Sequence, residues 1–194
     1  MAIMNTRVAG LRPGGRSARV QAAVHLAVHD LTEQHGRAAL TVPLIAARAG
    51  VTPSTIYRRW GDLADLLADV AVEHMRPETD PADTGGFASD LFTWAEQYFE
   101  EMTSEVGLGM LRDVLSATPG VTPRTCQCSA FNAAQIAVMV DRGIARGEAV
   151  PEVDAVMDGV VAPIVYRALF AAVPPTRDDV RRFVDRVMAS ATTR

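Results

Sequence analysis

Residues 41–60 read TVPLIAARAGVTPSTIYRRW, and the order of residue types in this stretch decides the fold of the chain's first third. Thr41 stands before Val42-Pro43 and Thr52 before Pro53. The same device appears twice: a hydroxyl to cap a helix, and a proline that the first helical turn accepts. Between them Ala46, Ala49, Gly50 and Val51 supply small side chains and a glycine turn, so two short helices can cross closely and steeply. This is the grammar of a helix-turn-helix. Ile45, Ala49, Val51, Ile56 and Trp60 are the positions able to pack the pair against its neighbours. Thr52, Ser54, Thr55, Tyr57, Arg58 and Arg59 then remain as a polar, cationic surface on the second short helix, whose amides and positive dipole end also favour phosphate.

On the N-terminal side, Val20, Val24, Val28 and Leu31 line one face of a helix expected over 17–35, with Ser17 as its cap and Gly36 at its end. Residues 1–16 mix Pro13, Gly14 and Gly15 with Arg7, Arg12 and Arg16 and have no period, the pattern of a flexible basic arm. On the C-terminal side, Gly61 breaks the chain and Asp62, with Asp65 three residues on, caps a fourth helix carried by Leu63, Leu66, Leu67 and Val70 as far as Pro77. The segment Arg76 to Gly86, with two prolines and two glycines, reads as a connection.

Everything beyond it reads as helix. Phe87, Leu91, Trp94, Tyr98 and Met102 share a face that Phe92, Ala95 and Phe99 widen, which predicts a central helix. Further helices are expected at about 106–117, 124–146, 153–172 and 176–191, the last opened by a capping box of Thr176 and Asp179. The stretch Val153 to Ala172 is apolar nearly all round, so burial of both its faces is expected, and with it a subunit interface. The fold class is therefore all-α: a three-helix helix-turn-helix head over 17–61, joined by a fourth helix to a helical body over 62–194, about nine helices altogether.

Composition sets the outer limits. A chain of 194 residues with 48% apolar content holds one or two small folded units and is not disordered. The two cysteines, Cys126 and Cys128, stand too close in sequence to staple a secreted scaffold, so a reducing cytoplasm is the expected location. No signal peptide or membrane span is expected, since the longest apolar stretch is broken by Asp154, Asp158, Pro163 and Arg167. The net charge of -4 conceals a division: residues 1–60 hold eight arginines against Asp30 and Glu33, a net +6, and the remainder sums to -10. An anion-binding head on an acidic body accounts for that split.

The stretch Val20 to Met75 resembles the TetR family of transcriptional regulators, with LTVPLIAARAGV as the second helix and turn, then TPSTIYRRW and DLADLLADV. The resemblance implies that Tyr57 contacts phosphate or base, that Thr55 and Arg59 touch the DNA backbone, that Pro53, Ser54 and Arg58 face bases, and that Thr41 touches phosphate at the start of the second helix. The family's usual lysine early in the fourth helix is Leu63 here, a departure for which Arg48 or the basic arm is the candidate replacement. It further implies a homodimer through the helices near 152–172 and 176–191, a palindromic operator with half-sites roughly 34 Å or more apart, and a small-molecule effector that releases DNA. GEAVPEVDAVMDGVVAPIVYRALF, with its internal Pro163, resembles an interface helix of one subgroup.

Candidate ligand-cavity residues are Trp94, Tyr98, Met102, Met110, Phe131, Met139, Tyr166 and Phe170, a set that fits an ordinary core equally well, with Arg112, Arg142 and Arg167 as the available anchors for an anionic or carbonyl group. The competing reading is an all-helical binding protein or enzyme in which the helix-turn-helix is merely structural. No catalytic or phosphate-loop motif supports an enzyme. His25, His29 and Glu33 recur every four residues but read as a solvated face rather than a metal site, and Cys126 and Cys128 read as two helical thiols, so no cofactor or metal is expected.

Overall fold

The structure is a computed structural model that describes residues 15–117 and 124–191, so residues 1–14 of the expected arm lie outside the described residues. Among those described there are nine helices and no strand: α1 (Arg16–His35), α2 (Val42–Ala49), α3 (Pro53–Trp60), α4 (Leu63–His74), α5 (Phe87–Thr103), α6 (Glu105–Ser116), α7 (Arg124–Ala145), α8 and α9 (Arg177–Ala191). Helix α8 is a composite of Val153–Val156, a wide π segment Met157–Val161 and Ala162–Phe170. The chain divides into two compact units at Leu66, within α4.

In the first unit the periodic apolar residues are the buried ones: Val24, Val28 and Leu31 of α1, Ile45 of α2, and Ile56 and Trp60 of α3, with α2 packed on both α1 and α3. The turn between α2 and α3 depends on Gly50, which sits at φ 67 and ψ 31 in the left-handed region and lets Val51 N–H return to the Ala46 carbonyl at 3.0 Å. Thr41 caps α2, accepting from Leu44 N–H at 3.4 Å, and Asp62 accepts from Asp65 N–H at 2.8 Å. Two expected caps are different. Helix α1 begins at Arg16 with Gly15 as its N-cap, which places Ser17 inside the first turn. The Thr52 hydroxyl accepts from no α3 amide and instead lies 2.9 Å from Ser54 Oγ and 3.0 Å from Thr55 Oγ1. The hydroxyls of Ser54 and Thr55 compete successfully with their own amides for it.

In the second unit α5 is central, packed by α6, α7, α8 and α9. Its buried Phe87, Leu91 and Ala95 meet Ile136 and Met139 of α7, Val156 and Ile164 of α8, and Val180, Phe183 and Val184 of α9. Polar bonds tie its first turn to the far end of α7: Phe87 N–H donates to Glu148 at 2.7 Å, and Arg146 donates to Asp83 and Asp90, each at 3.2 Å. Burial acts to raise the Asp90 carboxyl. Hydrogen bonds from the Thr84 hydroxyl and amide, both 2.6 Å, and from Arg146 overcome it and hold the pKa below the ordinary value.

Within one chain only one face of helix α8 is buried. Its inner face is buried at Val156, Val160 and Ile164, while its outer face carries Tyr166 and Phe170, 65% and 68% exposed. A helix that is apolar all round has more apolar surface than one chain covers. The π segment is explained by Pro163, which cannot donate to the Gly159 carbonyl; the helix widens and Ala162 N–H reaches back five residues to the Met157 carbonyl. On the inner side a Cβ at Gly159 would lie 2.3 Å from Val187 Cγ2, so glycine is what lets α9 approach so closely.

The capping box of α9 forms as expected: Asp179 N–H donates to Thr176 Oγ1 at 3.3 Å, and Thr176 N–H and hydroxyl donate to Asp179 Oδ2 at 2.9 and 2.8 Å. These bonds from Thr176, amide first, with help from Arg182 and against burial, hold the Asp179 carboxyl well below the usual carboxylate range. Arg167 of α8 also donates to it, at 2.8 Å. Because the folded pKa is depressed, the stabilisation is complete above the unfolded value of about 3.9 and is lost as pH falls below it. Asp179→Asn should therefore cost about 1–2 kcal/mol at pH 7. The deficit in urea midpoint should begin to shrink below about pH 4 and close only as the pH falls through the depressed folded value.

Candidate DNA-binding surface and ligand cleft

Helix α3 presents Pro53, Ser54, Tyr57, Arg58 and Arg59 to solvent, with Thr55 half-buried, while Ile56 and Trp60 anchor its other side in the core. Thr52, Ser54 and Thr55 form one hydroxyl cluster at its start. Tyr57, 49% exposed, and Arg58 follow along the open face. Among the described residues Arg58 has no bonding partner, so its guanidinium is available to an incoming acceptor.

The other two arginines expected at this surface are already engaged. Arg59 Nη1 donates to the Ser17 carbonyl at 3.0 Å and to the Ser17 hydroxyl at 2.6 Å, and Nη2 donates to Gln21 Oε1 at 2.5 Å. Its guanidinium also lies 5.1 Å from the centre of the Trp60 ring. Arg59 thus ties the end of α3 to the start of α1. Arg48 is paired with Asp30, Nη2 to Oδ2 at 2.5 Å and Nε at 3.2 Å, which joins α2 to α1. Beside the α2–α3 turn lies a shallow groove of about 400 Å³ formed by Arg16, Arg19, Val20 and Ala23 of α1 with Ala49, Gly50 and Val51. Arg19, on the α1 side of this groove, was not among the sequence-derived contacts. A helix periodicity alone does not tell which of its polar residues will flank a turn 30 residues later.

The second unit holds a cleft of about 490 Å³, in the size range of small-molecule sites. Trp94, Tyr98 and Met102 of α5 line it together with Leu111 of α6, Cys128 and Asn132 of α7, and the segment from His74 to Ala82. The Trp94 and Tyr98 rings stack with centroids 5.2 Å apart and planes 9° from parallel. Asn132 Nδ2 donates to Tyr98 Oη at 3.3 Å. Burial, despite that bond, pushes the Tyr98 phenol up to about 12, and it likewise raises the Cys128 thiol, which faces the Met75 sulfur at 3.7 Å. Of the other cavity candidates, Met110 and Phe131 pack beside the cleft against Ala71, Val72 and Val114. Met139 is sealed in the core, and Tyr166 and Phe170 stand outside on the open face of α8. The possible anchors are also placed elsewhere: Arg142 donates to the Pro81 carbonyl at 2.7 Å, Arg167 to Asp179, and Arg112 is exposed. His29 and Glu33 meet at 3.8 Å on the exposed face of α1, and His25 lies against Trp60 with ring centroids 6.2 Å apart. Among the described residues no three His, Cys, Asp or Glu side chains converge on a metal site, and the Cys126 side chain lies outside what is described.

Two family profiles match the chain: one described as bacterial regulatory proteins, tetR family, over residues 27–70, and one described as tetracyclin repressor-like, C-terminal domain, over residues 81–187. The chain belongs to the TetR family. It is similar to an uncharacterised HTH-type transcriptional regulator of Mycobacterium tuberculosis, 29% identical over 170 residues that span 84% of this chain and 83% of the relative. YdeS of Bacillus subtilis, an HTH-type transcriptional regulator, is 29% identical over 160 residues, 76% of this chain and 77% of its own length. The fold is shared with the TetR family transcription regulator SCO0332, with a TM-score of 0.67, 23% identity and coverage of 88% of this chain and 97% of that one. It is shared too with Thermus thermophilus FadR, a TetR family repressor solved with lauroyl-CoA, at a TM-score of 0.62, 14% identity and coverage of 90% and 95%.

TetR family members are DNA-binding transcriptional regulators and not enzymes, and that is the class of this protein. No helix among the described residues is long and apolar enough to cross a membrane. The first profile spans α2, α3 and the turn between them, so the surface built by Ser54, Tyr57 and Arg58 belongs to the part of the chain that carries the TetR signature.

Proposed function

We propose that the protein is a homodimeric repressor that binds a palindromic operator and leaves it when a small molecule enters the body. The observation that carries the reading is the open face of α3, where the Thr52, Ser54 and Thr55 hydroxyls, Tyr57 and an uncommitted Arg58 stand together on a helix held from behind by Ile56 and Trp60. In this reading α3 enters the major groove. Arg58, Ser54 and Pro53 face base edges, Thr41, Thr52, Thr55 and Tyr57 touch phosphate, and Arg48 and Arg59 hold α2 and α3 to α1 at the same time as they offer charge to the backbone. Residues 17–61 act as the DNA-binding head, residues 62–194 as the ligand-binding and dimerising body, and residues 1–16 as a basic arm.

The exposed Tyr166 and Phe170 on α8 support dimerisation through α8 and α9, because paired copies would cover the apolar face that one chain leaves in water. The cleft supports a ligand, and FadR of the same fold was solved with one. The test is selection from a randomised duplex library by the purified protein at near-physiological salt. Enrichment of a two-fold symmetric sequence is expected, with affinity that falls steeply as salt rises. A folded protein that enriches nothing would overturn the reading.

A further inference from the structure

The cleft beside α5 combines two features with one chemical consequence. Its lining includes the stacked Trp94 and Tyr98 rings, their planes 9° from parallel, with Met102 and Leu111. Its fixed charges are mostly negative: Glu78, Asp80 and Glu101 line it, against Arg76. Arg76 is spoken for, since its Nη2 is 3.0 Å from Glu73 Oε2 and its guanidinium lies 5.5 Å from the centre of the Phe131 ring. Asp80 has Arg142 at 3.8 Å. Among the described residues Glu78 and Glu101 have no cationic partner, and Glu101 is near enough to Tyr98 to add to the effect of burial on its phenol.

An anionic guest would meet these carboxylates with no free guanidinium to offset them. A neutral guest would gain the stacking surface alone. A positively charged aromatic gains both, because π-faces attract cations and carboxylates beside partly buried rings are less screened than in open water. We propose that the effector is a planar aromatic or heteroaromatic cation seated on Trp94 and Tyr98, with Glu101 facing its charge. The proposal rests on the ligand-binding reading above and names the chemical class that reading leaves open. It also separates this cleft from one built for an acyl-CoA, whose phosphates would need the arginines that here are paired elsewhere.

Three tricyclic probes of one shape and different charge test it on the full chain without DNA: proflavine (cation), acridone (neutral) and acridine-9-carboxylate (anion), each followed by its own fluorescence anisotropy. Proflavine should bind at least roughly tenfold more tightly than acridone, and the carboxylate more weakly than either. Glu101→Gln should weaken proflavine about three- to tenfold and leave acridone unchanged, while Glu96→Gln, on the same helix but outside the cleft, should change neither. Equal affinity for the three probes, tighter binding of the carboxylate, no binding of any, or equal effects of the two substitutions would overturn the proposal. Failure here in a protein that still selects a palindrome removes only the ligand class. Proflavine binding with the expected charge preference, in a protein that selects no duplex, removes the operator reading and keeps the ligand class.

Discussion

Alanine at Arg58 is expected to cost roughly 1–3 kcal/mol at each half-site and to flatten preference at one or two base pairs, while binding to arbitrary duplex stays nearly unchanged. Both subunits of a dimer carry the substitution, so on the selected palindrome the loss is about 2–6 kcal/mol, on the order of 30-fold or more. The expectation follows from where the guanidinium stands: exposed on α3, one turn along from the hydroxyl cluster, and bonded to nothing else among the described residues. Arg59 makes the useful contrast, because it is the next residue and equally cationic yet holds Ser17 and Gln21 of α1. Arg59→Ala should lower affinity on every sequence by a similar factor and should also lower the melting temperature, since it releases the start of α1 from α3. Titrating both variants on the selected duplex and on a scrambled one, at one salt concentration, separates the roles. Equal losses on the two duplexes for Arg58→Ala would remove it from base recognition and leave it a phosphate contact.

How far this surface was legible beforehand depends on the range of the forces involved. The helix-turn-helix was readable because its determinants are local: Thr41 and Asp62 cap helices within three residues, and Gly50 takes the left-handed turn its neighbours cannot. The service of Arg59 to α1 was not, since its partner Ser17 is 42 residues away and looked by itself like a helix cap. Aromatic content pointed to Trp94 and Tyr98, and both line the cleft. The same criterion pointed inward for Tyr166 and Phe170, which face out, because on a helix apolar all round no period distinguishes the side that meets its own core from the side that meets something else. The polar half of the cleft, from Arg76 to Ala82, had no period to read and passed as a mere connection, although Gln135 and Arg142 of α7 tie it down through the Thr79 and Pro81 carbonyls.

Two glycines in α6, two residues apart, should respond to alanine with opposite signs. Helices α5 and α6 reverse direction across Ser104, whose hydroxyl donates to the Glu101 carbonyl at 2.7 Å and accepts from Gly107 N–H at 2.9 Å. The turn is so tight that a Cβ on Gly107 would lie 2.0 Å from the Glu101 carbonyl oxygen, 2.9 Å from its carbon and 3.0 Å from Met102 Cα. All three atoms are backbone, so no side-chain rotation relieves the clash and α6 itself must move. Gly107→Ala should therefore destabilise by about 2–3 kcal/mol, even after the roughly 1 kcal/mol that alanine gains over glycine inside a helix. At Gly109 a Cβ would meet nothing within 4 Å, and there the helix preference acts alone, so Gly109→Ala should stabilise by up to about 1 kcal/mol. At roughly 2–4 °C per kcal/mol for a chain of this size, the two melting temperatures should differ by about 4–16 °C. The separation also bears on the cleft, because Leu111 of α6 and Met102 of α5 both line it. If Gly107→Ala melts with the wild type, α6 can ride away from α5 at little cost, and the cleft has a yielding wall instead of a fixed one. If it melts early while Gly109→Ala melts late, the wall is set by backbone contact, and ligand selectivity can be attributed to the side chains that face the cleft.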